Sequence, residues 1–216
     1  MLFRSELSAV SIGDPLPTEV DLVYIGGGQD REQALVAPDL QQKADALGAA
    51  VEAGAAVLAV CGGYQLLGHV YRARSGQEIR GVGLLPLRTL AGERRMTGDA
   101  LVACEWADGQ TLAGFENHAG RTVLDASGEP LGRVLAGHGN DGRSGGEGCR
   151  LGRVYGTYLH GPLLPRNPWF ADRLLADALG RRAGAPVALE PLDDALELLA
   201  HQVRSEEHTS ELQSRL

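Results

Sequence analysis

Apolar residues in the first part of the chain form short unbroken runs that alternate with helical segments. Residues 20–25 predict a largely apolar strand, and residues 55–60 are apolar without alternation, which is typical of a strand covered on both faces. Asp30 begins a helical segment that we expect to be interrupted at Pro38 and to resume after it, because proline cannot continue a helix. A short helix is predicted over residues 64–70. The pattern therefore predicts two βα units of a parallel sheet.

After residue 81 the pattern changes to short apolar stretches separated by glycine-rich turns. The candidate strands, which we expect to lie beside the first two, cover residues 99–106, 115–124, 131–136 and 153–159. The polar segment 137–148 predicts a surface loop, since it is too poor in apolar residues to pack in a core. Asn167 is predicted to cap a helix that begins at Pro168, and a last helix follows Pro191.

Both ends of the chain resemble translated sequencing adapter. This applies to residues 1–5 and to residues 204–216, and such scars are set aside in fold reasoning. We therefore expect one domain over residues 6–203 that lacks its own first strand and helix. A genuine polar tail is the alternative.

Composition and charge narrow the classes of function. The chain has 216 residues, of which 44% are hydrophobic, and a net charge of −8. That length can bury one substantial core, and the dispersed Lys and Arg argue against a nucleic-acid or anionic membrane surface. No apolar run approaches the roughly 20 residues of a membrane span, so we expect a cytoplasmic protein without membrane insertion. The three cysteines show no CxxC spacing, which suggests neither a disulfide framework nor a zinc site.

Cys61 is the strongest candidate for chemistry. The run 55–60 leads directly into Cys61, Gly62 and Gly63, and then into a helix, which is the layout of a nucleophile elbow. Backbone N–H groups at the N-terminus of the following helix would favour the thiolate. A buried core cysteine is the alternative, since cysteine is among the most buried residue types.

A cysteine nucleophile needs a base, because a free thiol with a pKa of about 8.5 is only a few per cent ionised at neutral pH. His160 ends the strand-like run 154–160. It would therefore lie at the carboxyl edge of the sheet, where open α/β folds bind ligands. His118, in the run 115–120, has a similar position and is the competing candidate.

The elbow, the glycine turn 26–28 and the run Gly-Thr-Tyr-Leu-His-Gly at 156–161 resemble class I glutamine amidotransferases of the cobyric acid synthase type. Residues 115–122 and 156–168 more closely resemble the GatD family, the glutaminase subunits of lipid II isoglutaminyl synthase. The resemblance covers about residues 14–201. It implies a flavodoxin-like open α/β sheet with helices on both faces. It also implies that ammonia from glutamine passes to a MurT-like Mur ligase subunit, which amidates the D-glutamate of the peptidoglycan stem peptide.

The same resemblance implies roles for single residues. The nucleophile falls on Cys61, the general base on His160 and a glutamine-binding arginine on Arg95. The oxyanion hole would be formed by the backbone N–H of Gly62 and that of Gly27 or Gly28. The side chains of Gln65 and Asn117 would lie near the substrate. No metal or organic cofactor is implied.

One departure from the wider class concerns the residue that orients the histidine. Pro162 stands where many class I amidotransferases have a glutamate. Either a dyad suffices or an acid comes from elsewhere, from the partner or from Glu116. Two other functions stay open at this point: the glutaminase domain of a cobyric acid or cobyrinate synthase, and a binding subunit without activity.

Overall fold

The computed structural model describes the backbone of residues 5–213 and the side chains of residues 5–203 and 205. The strands in chain order are β1 (Leu22–Ile25), β2 (Ala56–Val60), β3 (Val70–Arg72), β4 (Glu78–Arg80), β5 (Leu87–Cys104), β6 (Gln110–Leu124), β7 (Gly132–Ala136), β8 (Gly146–Glu147), β9 (Cys149–Leu151), β10 (Val154–Thr157) and β11 (Leu159–His160). The helices are α1 (Asp30–Gln42), α2 (Ala44–Glu52), α3 (Gly62–Leu67), α4 (Leu163–Arg166), α5 (Pro168–Ala183) and α6 (Ala195–Gln213).

The first sheet has the strand order β1, β2, β10, β9. Strands β1 and β10 run parallel to β2 on either side of it, and β9 is antiparallel to β10. Every residue of β2 is buried. Leu58 packs with Phe170 of α5 in one cluster, whereas Val57 packs with Leu47 of α2 and Tyr64 of α3 in another. The prediction of a strand covered by helices on both faces is therefore confirmed.

The remaining strands form a second sheet with the order β11, β6, β5, β3, β4, in which β7 also pairs with β5 and β8 with β7. The predicted strand 153–159 lies beside β2 as β10, which confirms that part of the prediction. The predictions 99–106 and 115–124 are wrong in their placement and length, because they are parts of β5 with 18 residues and β6 with 15, which belong to the second sheet. Both strands continue through polar and glycine-rich stretches whose backbones pair across a register shift between Ala91 and Met96. The two sheets meet where β10 ends at Thr157 and β11 begins at Leu159.

Some helix boundaries also differ from the sequence prediction. Pro38 lies inside α1, and the break between α1 and α2 falls at Lys43. Pro38 is exposed, so its ring lies on the solvent side of the helix, where the lost backbone hydrogen bond costs least. Pro168 begins α5 as predicted, but the Asn167 side chain does not cap it. That side chain instead bonds to backbone atoms of Ala113 and Leu163.

The glycine-rich segment 137–148 is not a surface loop throughout. Asn140 and Glu147 are buried. The Asn140 amide donates to the carbonyl of Gly148 at 2.7 Å, and its oxygen accepts from the Gly148 N–H at 3.0 Å and from the Tyr64 hydroxyl at 3.1 Å. The segment enters the core because its polar groups satisfy one another there, which a count of apolar residues does not detect.

Residues 1–4 and 214–216 of the predicted adapter-derived ends lie outside the described residues. Helix α6 continues to Gln213, beyond the predicted domain end at residue 203. The adapter origin of the ends and the boundaries 6–203 stay predictions. None of the helices within residues 5–213 combines the length and the apolar character needed to cross a bilayer.

Candidate functional site

Cys61 lies between β2 and α3 in a strained backbone conformation, with φ of 53° and ψ of −108°. A non-glycine residue with positive φ costs about 1–3 kcal/mol and persists only where its surroundings hold it. The Cys61 N–H donates to the carbonyl of Thr157 at 2.8 Å, and its carbonyl accepts from the N–H of Gln65 at 3.0 Å. The thiol is partly buried. This is the geometry of the predicted nucleophile elbow.

The glycines after Cys61 are required by close backbone contacts. A Cβ on Gly62 would lie 2.8 Å from the nitrogen of Gly28, and one on Gly63 would lie 2.6 Å from the carbonyl oxygen of Ile25. Real Cβ atoms do not approach backbone atoms so closely, so no side chain fits at either position. The turn 26–28 after β1 therefore packs directly against the first residues of α3.

Gly27 marks the point where the elbow and His160 come together. A Cβ built on Gly27 would lie 3.3 Å from the Cβ of Cys61 and 3.7 Å from the Cε1 of His160. The Nε2 of His160 is buried and has no hydrogen-bond partner among the described residues. Three residues singled out from separate parts of the sequence thus share one small space at the carboxyl ends of β1 and β2.

Burial keeps both members of the Cys61 and His160 pair uncharged at neutral pH. Burial raises the pKa of the Cys61 thiol, although the Gly62 N–H and the Arg95 charge act in the opposite direction. Burial also lowers the pKa of His160, and the Arg95 charge lowers it further. The Gly62 N–H at the start of the helix does favour the thiolate, but desolvation outweighs it and the thiol stays protonated.

Arg95 is held beside this pair by Asn117. Its Nε donates to the Asn117 Oδ1 at 2.9 Å, and one terminal nitrogen donates to the Asn117 carbonyl at 2.9 Å. These bonds leave part of the guanidinium available for a ligand. From this position the Arg95 charge lowers the pKa of the Cys61 thiol and that of the His160 imidazole.

Gln65 lies in the core and is engaged by the protein. Its Oε1 accepts from Gln33 at 2.8 Å, and its Nε2 donates to the Tyr158 hydroxyl at 3.0 Å. Gln33 also donates to the carbonyl of Gly28 at 3.2 Å. These bonds connect the turn 26–28, the start of α3 and the segment that precedes His160. Sequence reasoning missed Gln33, because a glutamine in an amphipathic helix gives no local signal of burial.

His118 and Glu116, the remaining candidates, have structural partners. The His118 ring stacks on Tyr158 with a centroid distance of 3.5 Å, and its Nδ1 donates to the carbonyl of Gly120. Burial lowers the pKa of His118 to about 3. The buried carboxylate of Glu116 accepts from the backbone N–H and the ring of His138. Within residues 5–203, no three His, Cys, Asp or Glu side chains are grouped so as to hold a metal ion.

The fold is that of the glutamine amidotransferases. A solved structure described as a glutamine amidotransferase superposes with a TM-score of 0.53, at 17% identity over 73% of this chain and 79% of that one. PurLQS from Thermotoga maritima superposes with a TM-score of 0.54, at 19% identity over 71% of this chain and 74% of that one. Both likenesses confirm the predicted α/β fold class.

The chain belongs to the CobB/CobQ-like glutamine amidotransferase family, whose domain matches residues 3–168. It is 41% identical to the GatD subunit of lipid II isoglutaminyl synthase (glutamine-hydrolyzing) from Streptococcus pneumoniae over 82% of this chain and 68% of that protein. Identity to the GatD subunit from Staphylococcus aureus is also 41%, over 86% and 74% of the two chains. A cobyric acid synthase from Methylocella silvestris is 36% identical over 72% of this chain and 32% of its own length. The predicted family resemblance is confirmed.

Proposed function

We propose that this chain is the glutaminase subunit of an amide ligase that modifies lipid II. It would hydrolyse L-glutamine to glutamate and ammonia and pass the ammonia to a MurT-like ligase, which amidates the D-glutamate of the stem peptide to D-isoglutamine. The observation that carries this proposal is the strained Cys61 beside His160 and Gly27, in a chain 41% identical to two GatD subunits. Cytoplasmic localisation stays a prediction.

The first half of the reaction follows from the uncharged state of the pair. As the Cys61 sulfur attacks the side-chain amide carbon of glutamine, His160 takes the thiol proton. The carbon–nitrogen bond then breaks, and the same proton passes from His160 to the departing nitrogen, which leaves as ammonia. A thioester joins Cys61 to the γ-carbonyl. The raised pKa of the thiol makes this transfer to His160 necessary, since little thiolate exists beforehand.

The second half hydrolyses the thioester. His160 removes a proton from water, the resulting hydroxide attacks the thioester carbon, and the sulfur leaves and is reprotonated. The negative oxygen formed in each half would accept from the Gly62 N–H and from that of Gly27 or Gly28, and such a donor is typically worth about 10²–10³ in rate. The free edge of the Arg95 guanidinium suits the α-carboxylate of glutamine.

Two features favour the lipid II ligase over a cobyric acid synthase. Identity to the GatD subunits is 41%, and the match covers 68% and 74% of their lengths. Identity to the cobyric acid synthase is 36%, and the match covers 32% of that protein. The GatD relatives are named as subunits, so we propose that this chain acts with a separate ligase partner.

The proposal is tested by following the amide nitrogen. The chain is mixed with a MurT-like ligase, ATP, lipid II and glutamine labelled with ¹⁵N at the side-chain amide. We expect glutamate release and one ¹⁵N in the D-isoglutamine of the product, detected by mass spectrometry. Asparagine, which is one methylene shorter, serves as the matched control and should give neither. Glutamate release without transfer to lipid II would support the glutaminase activity but contradict lipid II as the ammonia acceptor. No glutamate release at all would contradict both parts of the proposal.

Gly27→Ala is expected to impair turnover much more than folding. The added methyl group would occupy the space between the Cys61 Cβ and the His160 Cε1, at 3.3 and 3.7 Å. Because misplacement of reacting groups by about 1 Å can cost 10²-fold, we expect kcat for glutamine hydrolysis to fall by about that factor. Gly48→Ala in α2, where the added Cβ meets nothing within 4 Å, is the control and should keep full activity. Equal activity of the two variants would contradict the placement of the site.

A further inference from the structure

Glu147 is a fully buried carboxylate in the segment 137–148 that has no role in the steps above. Among the described residues, no Lys, Arg or His side chain lies within ion-pair distance of it. Burying a carboxylate without a counter-ion is costly unless hydrogen bonds replace its hydration. The position of Glu147 therefore has to be explained by the groups that it accepts from.

Those groups belong to the break between β10 and β11. The Glu147 Oε1 accepts from the backbone N–H of Tyr158 at 2.7 Å, and both carboxylate oxygens accept from the Thr157 hydroxyl, at 3.0 and 3.1 Å. Tyr158 is the residue at which the chain leaves the first sheet before it joins the second. Its buried N–H would be left without an acceptor if the carboxylate were absent.

The same break connects the two members of the candidate dyad. The carbonyl of Thr157 accepts from the N–H of Cys61 at 2.8 Å. The hydroxyl of Thr157 accepts from the N–H of Leu159 at 3.0 Å, and His160 follows Leu159 directly. The three residues 157–159 therefore bond to the elbow at Cys61 and lead directly to the imidazole of His160. The Glu147 carboxylate holds this segment in place.

We propose that Glu147 is a positioning residue that sets the geometry of Cys61 relative to His160 by holding the strand break at residues 157–159. This inference rests on the proposed roles of Cys61 and His160, and Glu147 acts through Thr157 and Tyr158 without touching the substrate. Its role there is to accept hydrogen bonds, which a neutral carboxyl or amide oxygen can also do. Burial raises the pKa of Glu147 to about 7, with the Tyr158 N–H and the Thr157 hydroxyl acting in the opposite direction, so glutamine is a fair isostere of its neutral form.

The test compares Glu147→Ala with Glu147→Gln in glutamine hydrolysis. The alanine variant should lose about 100-fold in kcat, with little change in KM, because the dyad is misaligned while the binding groups remain. The glutamine variant keeps an acceptor for the Tyr158 N–H and should retain most of kcat. Thr157→Val removes the hydroxyl that joins Glu147 to the Leu159 N–H but keeps the bond from the Tyr158 N–H to Glu147, so it should lower kcat by a smaller factor. It also serves as the test if the alanine variant does not fold.

Asp177→Asn is the matched control for loss of a buried carboxylate. Asp177 on α5 is also buried, accepts from the Tyr155 hydroxyl of β10 at 2.8 Å and pairs with Arg153 and Arg173, but none of these partners belongs to the strand break at residues 157–159. We expect this variant to lower the melting temperature and to leave kcat nearly unchanged. A comparable loss of kcat in Asp177→Asn and Glu147→Ala would reduce Glu147 to a stabilising residue and overturn the proposal.

A second readout does not require glutamine to be the substrate. The alkylation rate of Cys61 by iodoacetamide is followed against pH, the label being located by peptide mass spectrometry. In Glu147→Ala the pH at which the alkylation rate reaches half its maximum should move toward that of an ordinary exposed thiol. In Glu147→Gln this midpoint should stay at the wild-type value. An unchanged midpoint in Glu147→Ala would overturn the positioning role. If the midpoint shifts in Glu147→Ala as expected but the wild type hydrolyses no glutamine, only the proposed function is overturned.

Discussion

Replacement of Cys61 by alanine is expected to abolish glutamine hydrolysis while leaving the fold unchanged. The reaction proposed above passes through a thioester on this sulfur, and no other group in the site can form it. Removing a nucleophile from a comparable hydrolase costs on the order of 10⁶ in kcat, so the residual rate should fall below detection. Glutamate formation from L-glutamine measures the loss, and circular dichroism and the melting temperature report on the fold.

Cys104 supplies the control for this variant. It is fully buried, and burial raises the pKa of its thiol to about 12, so it is unreactive at neutral pH. Cys104→Ala should therefore lose some stability but retain its catalytic rate. Hydrolysis that survives in Cys61→Ala, or that disappears in Cys104→Ala with the fold intact, would show that the thiol of the elbow is not the nucleophile.

The elbow could be recognised from the sequence because its signals are local. The buried strand β2, the cysteine and the two glycines follow one another without a gap, and each has a direct structural counterpart. The glycines are needed because the backbones of Ile25 and Gly28 leave no room for a Cβ on the residues after Cys61. These steric constraints act on residues that are adjacent in the chain, so the motif can be recognised directly in the sequence.

The residues that support the elbow gave no such local signal. Glu147 lies in a polar, glycine-rich segment that by composition belongs on the surface, yet hydrogen bonds to residues 157 and 158 draw it into the core. Gln33 is likewise buried by its contacts with Gln65 and the carbonyl of Gly28. Burial of a polar side chain depends on partners that are distant in sequence, and hydrophobic periodicity carries no information about them.

Replacement of His160 by alanine is expected to lower kcat by about 10³-fold, within the range for loss of a general acid–base group. The loss should be large because both half-reactions need the imidazole: the thiol is protonated at neutral pH, and the leaving nitrogen needs a proton. His118→Asn is the comparison, since His118 was the competing candidate and is stacked in the core on Tyr158. That variant should lose stability but keep the pH dependence of the wild type.

The role of His160 as a base also predicts how kcat/KM of the wild type changes with pH. His160 acts as a base only when it is neutral, so kcat/KM falls as pH drops through its pKa. Burial and the Arg95 charge lower that pKa, which places the acid limb below the ordinary histidine value of about 6.5. Added imidazole should partly restore His160→Ala and move the limb up to the pKa of the free imidazole. An acid limb unchanged by the substitution, or a rescue seen equally in His118→Asn, would assign the base to another residue.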